Sequence, residues 1–176
     1  MRVVAPFTVD HLPTVRALRS IRTLDVERWK LSGPNDYLAM LTHLWELGEP
    51  FVNVEHDVEF PPGTVEEVAR CPGLWCWHPY VNVPTVPQLA NLGLTKFSAP
   101  FIAALPYVWT DFASSSEVMR RRWQRQPTWS MLDAWLIDYA EARGYPGHAH
   151  HALVVNRRPD GVERMRDDSM AGFLHG

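Results

Sequence analysis

Two acidic side chains that directly follow an apolar stretch are the first candidates for chemistry. Residues 51–54 (Phe-Val-Asn-Val) are typical of a buried strand, and Glu55 and Asp57 come immediately after them. Alternate side chains of a strand share a face, so we expect Glu55 and Asp57 to project together and His56 to point the other way. Ligands of parallel α/β sheets bind beyond the carboxyl ends of the strands. At that position Asp57 would suit a divalent cation, and Glu55 could hold a ribose hydroxyl. A solvated acidic loop is the alternative interpretation.

Two histidines near the C-terminus have the spacing of metal ligands. His148 and His150 are separated by one residue, so on an extended segment both side chains face the same way. Asp57 together with one of these histidines would suit Mn²⁺ or Mg²⁺, for which oxygen ligands dominate. Histidines that are merely solvated in a surface loop are the alternative interpretation.

Asp133 is the candidate general base, and it also has a structural interpretation. A carboxylate near the start of a helix can accept a proton from a substrate hydroxyl. Asp133 follows Ser130 by three residues, which is the spacing of a capping box. The sequence leaves both interpretations open.

A run of arginines surrounds a tryptophan in the second half of the chain. These side chains could follow a nucleic-acid backbone or hold a diphosphate, and a solvated helix face is the alternative. The formal net charge of −3 argues against nucleic-acid binding by bulk electrostatics, so only a local patch could bind DNA. The patch consists of Arg120, Arg121, Arg122, Trp123 and Arg125.

Composition is that of one soluble domain. A chain of 176 residues with 46% hydrophobic residues can bury a sizeable core. No apolar run approaches the roughly 20 residues of a membrane span, and we expect a cytoplasmic protein. The only cysteines, Cys71 and Cys76, are too few for a zinc ribbon and are expected to be free buried thiols.

The pattern of apolar and turn residues predicts an α/β domain with a mostly parallel central sheet flanked by helices. Strands are predicted at residues 2–7, 21–26, 51–54, 74–80 and 91–98, and helices start near residues 10, 35, 64, 98 and 130. Residues 110–127 form a polar region. The expected helix caps are Thr8 or Asp10, Asn35, a capping box from Thr64 to Glu67, and Ser98, with Gly48 ending the second helix.

Taken together, these segments resemble the GT-A glycosyltransferases, in particular small glycosyltransferase-like proteins of bacteriophages. The resemblance spans most of the chain, and each of its motifs is short. It is carried by residues 3–7, 54–57, 71–72, 75–76, 92–98, 129, 132–133 and 148–150.

The resemblance implies a single GT-A-like (Rossmann-like) domain, with a nucleotide-sugar-binding half at about residues 1–83 and an acceptor-binding half at about residues 84–176. Glu55-His56-Asp57 would replace the Asp-x-Asp motif that holds a metal on the donor diphosphate, which leaves Asp57 as the metal ligand. His150 or His148 would match the additional C-terminal ligand of the family, and Asp133 would match its base. The nucleotide-sugar contacts implied are Ala5, Pro6, Phe7, Thr8, Glu55, His56, Gly93 and Lys96.

The function that follows from the resemblance is a metal-dependent glycosyltransferase of the hexosyltransferase type. It would use Mn²⁺ or Mg²⁺ and a nucleoside diphosphate sugar, with a UDP-sugar as the expected donor. Relatives in bacteriophages point to 5-hydroxymethylpyrimidine in phage DNA as an acceptor, which would place the protein in the cytoplasm of an infected host. The alternatives are a metal-dependent hydrolase that uses Asp57, His148 and His150, and a non-catalytic phage accessory protein.

Overall fold

The computed structural model describes residues 1–79, 92–123, 129–150 and 154–156, with side chains except those of residues 34, 116–123, 129–131 and 155–156. The strands are β1 Arg2–Phe7, β2 Asp25–Lys30, β3 Phe51–Val54, β4 Val58–Glu59, β5 Trp75–Trp77, β6 Leu94–Phe97, β7 His148–Ala149 and β8 Val155–Asn156. The helices are α1 Leu12–Arg19, α2 Pro34–Leu47, α3 Thr64–Arg70, α4 Ala99–Ala104, α5 Val108–Trp123 and α6 Trp129–Glu141.

A six-stranded sheet in the order β2-β1-β3-β6-β5-β7 forms the centre of the domain. Strand β6 runs antiparallel to both of its neighbours, whereas the other neighbouring pairs are parallel. Strands β4 and β8 form a separate antiparallel pair. The expected fold, a single α/β domain with a mostly parallel central sheet between helices, is therefore confirmed. The division into donor-binding and acceptor-binding halves stays a prediction.

Helices cover both faces of the sheet. Alternate side chains of the strands point to opposite faces, so each face has its own apolar cluster, against which helices pack. Phe51 packs with α2, α4, α5 and α6, whereas its neighbour Val52 packs with α1 and α3. We call these sides the α2/α6 face and the α1/α3 face. The described tryptophan rings pack largely into the first cluster, where the Trp45 ring meets those of Phe97 and Trp109 edge-on at 5.0 and 5.3 Å. These rings stabilise the core.

The carboxyl ends of the parallel strands meet at one edge of the sheet. Val54 of β3 pairs with Leu94 of β6, and Trp77 of β5 pairs with Thr95 and Ala149. Because β6 is reversed, the residues that precede it lie at this same edge. The residues placed along the edge are Phe7, Glu55, His78, Gly93 and His150.

The prediction of a strand at residues 21–26 is wrong. The strand is instead β2, which, among the described strands, pairs with β1 alone and lies at the margin of the sheet. Most of its side chains are exposed, so it lacks the apolar run on which the prediction relied. Ile21 instead packs into the core from the turn after α1. The polar region predicted at residues 110–127 is mostly helix α5.

Several of the expected helix caps are also wrong. Helix α1 begins after His11 rather than at Thr8 or Asp10. Helix α2 begins after Gly33, and the Asp36 carboxylate accepts hydrogen bonds from the amides of Ser32 and Gly33, at 2.7 and 3.1 Å. Asn35 is therefore already helical.

The capping box expected at Thr64 does not form. Gly63 precedes α3 with a φ of 88°, in the left-handed region that favours glycine, and Thr64 is the first helical residue. The two remaining expectations are confirmed. The Ser98 hydroxyl accepts a hydrogen bond from the Phe101 amide at 3.3 Å, and Gly48 ends α2 with a φ of 68°.

Across the described residues, no helix combines the length and the apolar character that crossing a membrane requires.

Candidate active site

Glu55 lies at the carboxyl edge of the sheet and is held by a buried tyrosine. It follows the last residue of β3, and Asn53, two residues earlier, shares its face. The Tyr37 hydroxyl, from α2, donates a hydrogen bond to Glu55 Oε1 at 2.8 Å. Asn53 Nδ2 donates to the Tyr37 hydroxyl oxygen at 2.9 Å. These bonds fix Glu55 on the α2/α6 face.

Asp133 reaches the same place from helix α6. Its Oδ1 accepts a hydrogen bond from the Leu92 amide at 3.2 Å. Asn53 donates to the carbonyl of Leu92, and the Glu55 amide donates to the carbonyl of Gly93 at 2.8 Å. The backbone of residues 92–93 therefore connects the two acids, which come from distant parts of the chain.

The surroundings of Asp133 raise its affinity for a proton. Burial raises the pKa of Asp133 well above its usual range, the nearby charge of Glu55 raises it further, and the Leu92 amide opposes both effects. Burial and the same two acids also raise the pKa of Tyr37, so its hydroxyl remains a donor. A carboxylate with a raised pKa is a stronger base than ordinary aspartate, and its proton is exchanged closer to neutral pH.

The capping interpretation of Asp133 is wrong. Helix α6 begins at Trp129, so Ser130 is inside the helix and cannot be its N-cap. The described contact of the Asp133 carboxylate is to Leu92, a residue remote in sequence, and not to a neighbouring turn. Its role as a base stays a prediction that this geometry permits.

Asp57 lies in a tight turn beyond β3. The Val58 amide donates to the Glu55 carbonyl at 3.2 Å, which closes the turn directly after the strand. The strand alternation that led us to expect Glu55 and Asp57 on one face therefore ends at Glu55. Asp57 Oδ1 is buried and has no hydrogen-bond partner among the described residues. An unpartnered carboxylate oxygen is compatible with a cation ligand.

Half of the predicted nucleotide contacts line one narrow cleft at the end of β1. Arg28 lines this cleft, with its guanidinium carbon 4.0 Å from the centre of the Phe7 ring, and it forms an ion pair with Asp10. Burial lowers the pKa of His56, the nearby His11 lowers it further, and Asp57 raises it. The cleft is lined by Ala5, Pro6, Phe7, Val9, His11, Thr14, Val15, Leu18, Arg28 and His56.

The other predicted nucleotide contacts lie elsewhere. Glu55 and Gly93 lie beside Asp133, at the carboxyl edge of the sheet. Thr8 follows β1 but does not line the cleft. Lys96 is buried, and its ammonium donates hydrogen bonds to the carbonyls of Cys71 and, at 3.0 Å, Gly73. This lysine holds the loop after α3, and the structure does not bring it to the cleft.

His148 and His150 lie together, as their spacing predicts, with ring centres 4.8 Å apart. The side chains next to these histidines do not include Asp57, with which they were expected to share a metal ion. His148 Nδ1 is 3.2 Å from Cys71 Sγ, and His150 Nδ1 is 3.6 Å from Glu67 Oε1. The described residues contain two groups of three side chains whose ligand atoms lie within 4.8 Å of one another, and neither includes Asp57. These groups are Cys71, Cys76 and His150, and Glu67, His78 and His150.

The arginine patch is largely outside the described part of the structure. Arg120, Arg121, Arg122 and Trp123 belong to helix α5, but their side chains are not described. Arg125 lies outside the described residues altogether. DNA or diphosphate contacts by this patch stay a prediction.

Sequence reasoning missed Tyr37, Asn53 and His78. A signal existed for Asn53, which is a polar residue inside a short apolar strand. Tyr37 follows the apolar period of α2 and carries no mark of its contact with an acid. His78 follows Trp75-Cys76-Trp77 in a strand pattern, where a buried histidine is hard to recognise.

Comparison with known proteins establishes the fold. No protein-family model and no curated protein match the sequence. One solved structure, described as a glycosyltransferase involved in the glycosylation of the major capsid of PBCV-1, matches with a TM-score of 0.55 at 13% identity, covering 88% of this chain and 92% of the other. A second, A197 from STIV, matches with a TM-score of 0.40 at 13% identity, covering 58% and 68%. The chain therefore has the α/β fold of the PBCV-1 glycosyltransferase.

Proposed function

We propose that this protein is a glycosyltransferase that moves a sugar from a nucleoside diphosphate donor to an acceptor hydroxyl. The observation that carries the proposal is that Glu55 and Asp133 are both held by the backbone of residues 92–93 at the carboxyl edge of the sheet, where ligands bind in α/β proteins. Similarity to the fold of the PBCV-1 glycosyltransferase supports the same reaction class.

Asp133 is the group suited to accept a proton. During transfer, the acceptor oxygen bonds to the anomeric carbon of the sugar as the bond from that carbon to the diphosphate breaks, and the acceptor proton must go to a base. Asp133 can take it because burial and the charge of Glu55 raise its pKa. A positioned base typically contributes about 10²–10⁴-fold to such a rate. Glu55, fixed by Tyr37, keeps Asp133 basic.

We propose that the donor nucleotide binds over the mouth of the cleft beside β1, whose walls include Phe7 and His56. The cleft itself has a volume of about 10 Å³, which is room for roughly one water molecule, so the nucleotide would lie over it and not inside it. Asp57, in the turn next to His56, would hold Mn²⁺ or Mg²⁺ through its unpartnered oxygen. Such ions are commonly bound by one or two carboxylates together with substrate phosphates, and they neutralise a departing diphosphate. His148 and His150 were expected to share this ion, but their described contacts are to Cys71 and Glu67. We therefore assign the ion to Asp57.

DNA that contains 5-hydroxymethylpyrimidine is the acceptor we propose first. An enzyme that modifies a base must extract it from the duplex, and Trp123 within the arginine patch could stack on the extracted base. If four arginines each contact a phosphate, the log–log dependence of DNA affinity on salt should have a slope of about −3. A glycan or protein hydroxyl is the competing acceptor, since the PBCV-1 enzyme acts in the glycosylation of a capsid.

The test is calorimetric titration of the protein with UDP, with and without Mn²⁺. We expect UDP binding that requires Mn²⁺ and is lost in Asp57→Asn. The matched control is Asp25→Asn, which removes an exposed acid from β2 and should bind like wild type. Equal affinity in Asp57→Asn and wild type would remove the cation assignment. Absence of UDP binding in both conditions would reject a UDP-sugar transferase, and metal-dependent hydrolysis without UDP affinity would favour a hydrolase that uses His148, His150 and Asp57.

A further inference from the structure

A cluster of thiols and imidazoles on the α1/α3 face has no part in the proposed reaction. Cys71 and Cys76 are both buried and both free, as the sequence predicts. Their sulfur atoms and a ring nitrogen of His150 all lie within 4.8 Å of one another. His148 Nδ1 lies 3.2 Å from Cys71 Sγ. Three side chains that commonly bind transition metals therefore converge on one place, and His148 adjoins them through Cys71.

The backbone is built to bring these side chains together. Strands β5 and β7 pair in parallel with Cys76 opposite His148, and the His150 amide donates to the Trp77 carbonyl at 2.8 Å. The two histidines therefore project on the same face as Cys76. A Cβ on Gly147 would lie only 2.2 Å from the ring of Trp77, so glycine is required for β7 to approach β5.

His150 has an unoccupied nitrogen with the surroundings of a metal ligand. Its Nε2 is buried and has no hydrogen-bond partner among the described residues. Its other nitrogen, Nδ1, lies 3.6 Å from the carboxylate of Glu67. Histidines that bind metals commonly direct their second nitrogen to a carboxylate, which orients the ring. Glu67 is placed to do this for His150.

We propose that Cys71, Cys76, His148 and His150 bind a structural Zn²⁺ ion. Two thiolates and two imidazoles form a complete ligand set for zinc, which leaves no open position for a substrate. Binding converts each thiol to a thiolate and releases its proton to solvent. Thiolates are poor ligands for Mn²⁺ and Mg²⁺, so this site is separate from the cation assigned to Asp57. The ion would join the two-residue strand β7 to the loop after α3.

The test is titration of the metal-free full-length protein with Co²⁺, followed by Zn²⁺. We expect thiolate-to-cobalt charge-transfer absorption and the visible bands of tetrahedral Co²⁺, saturating at about one ion per chain. Added Zn²⁺ should abolish both, because zinc binds such a site more tightly than cobalt. Wild-type protein is sufficient for this measurement, so it does not depend on whether a variant with a buried cysteine replaced can fold.

Variants then identify the ligands by competition of Zn²⁺ with a chromophoric chelator. Glu67→Gln should weaken zinc binding about 10–100-fold, as expected for a carboxylate that orients a ligand. His150→Gln should weaken it more, whereas His43→Gln, an exposed histidine of α2, should not change it. The proposal is overturned if cobalt gives no thiolate absorption, or if His150→Gln binds zinc as tightly as His43→Gln. It is also overturned if His150→Gln loses Mn²⁺-dependent UDP binding while zinc affinity is unchanged.

Discussion

Replacement of Asp133 by asparagine should stabilise the protein and inactivate it. Asparagine has nearly the same size, and its side-chain oxygen can still accept the hydrogen bond from the Leu92 amide. The substitution removes the carboxylate that burial and the charge of Glu55 both oppose. Stability and activity should therefore change in opposite directions, which neither a lost contact nor misfolding would produce.

The sign of the stability change follows from the raised pKa of Asp133. A carboxyl whose pKa is higher in the folded than in the unfolded protein binds more protons when folded. Its favourable contribution is complete below the ordinary pKa of about 3.9 and is lost as pH rises through the raised value. Each unit of increase corresponds to ~1.4 kcal/mol, an upper limit here because Asp133 is only partly buried and solvent screens its charge. For a domain of this size, 1 kcal/mol is about 2–4 °C in Tm.

The assay combines thermal unfolding with turnover of a UDP-sugar. Asp133→Asn should unfold at a higher temperature than wild type at about pH 8, with the difference shrinking toward acidic pH. Its turnover should fall by about 10²-fold or more. Asp138→Asn removes an exposed acid from the same helix and should change neither quantity. A variant of Asp133 that is fully active and less stable than wild type would show that the side chain is only structural.

Three further outcomes follow from described contacts. Tyr37→Phe removes the hydroxyl that donates to Glu55, and we expect it to lower the free energy of unfolding in urea by about 1–3 kcal/mol. An unchanged midpoint would contradict the buried network. Glu55→Gln should lower the pKa of Asp133 and move the acidic limb of the pH–rate profile to lower pH, whereas an unmoved limb would mean that the two acids do not interact in solution. Gly147→Ala places a carbon against Trp77 and should lower the free energy of unfolding by about 1–3 kcal/mol in the same assay. A variant as stable as wild type would contradict the close approach of β7 to β5.

The sequence predicts the central strands well and the marginal ones poorly. Residues 51–54 are buried, and three of the four are apolar, so this strand is visible in the sequence. Strand β2 lies at the margin of the sheet, and its charged residues Asp25, Glu27 and Lys30 are exposed. Hydrogen bonds to β1 define this strand, and no pattern of side chains records them.

The site is recovered from sequence only in pieces. Glu55 and Asp133 are each recognisable from their local positions, but their proximity depends on how α6 packs against the start of β6. The same holds for the cysteines and histidines. Two cysteines and two histidines are each an incomplete ligand set, and only the pairing of β5 with β7 joins them.

The most direct test of the proposed function is transfer of a labelled sugar. The protein is incubated with Mn²⁺ and a panel of labelled UDP-sugars, together with an oligonucleotide that contains 5-hydroxymethylcytosine or with cell-derived acceptors. UDP release and the mass of each acceptor are then followed. The account predicts that at least one acceptor gains the mass of a hexose, and that Asp133→Asn reduces the rate by about 10²-fold or more. Absence of transfer from every donor, or transfer by Asp133→Asn at the wild-type rate, would contradict it.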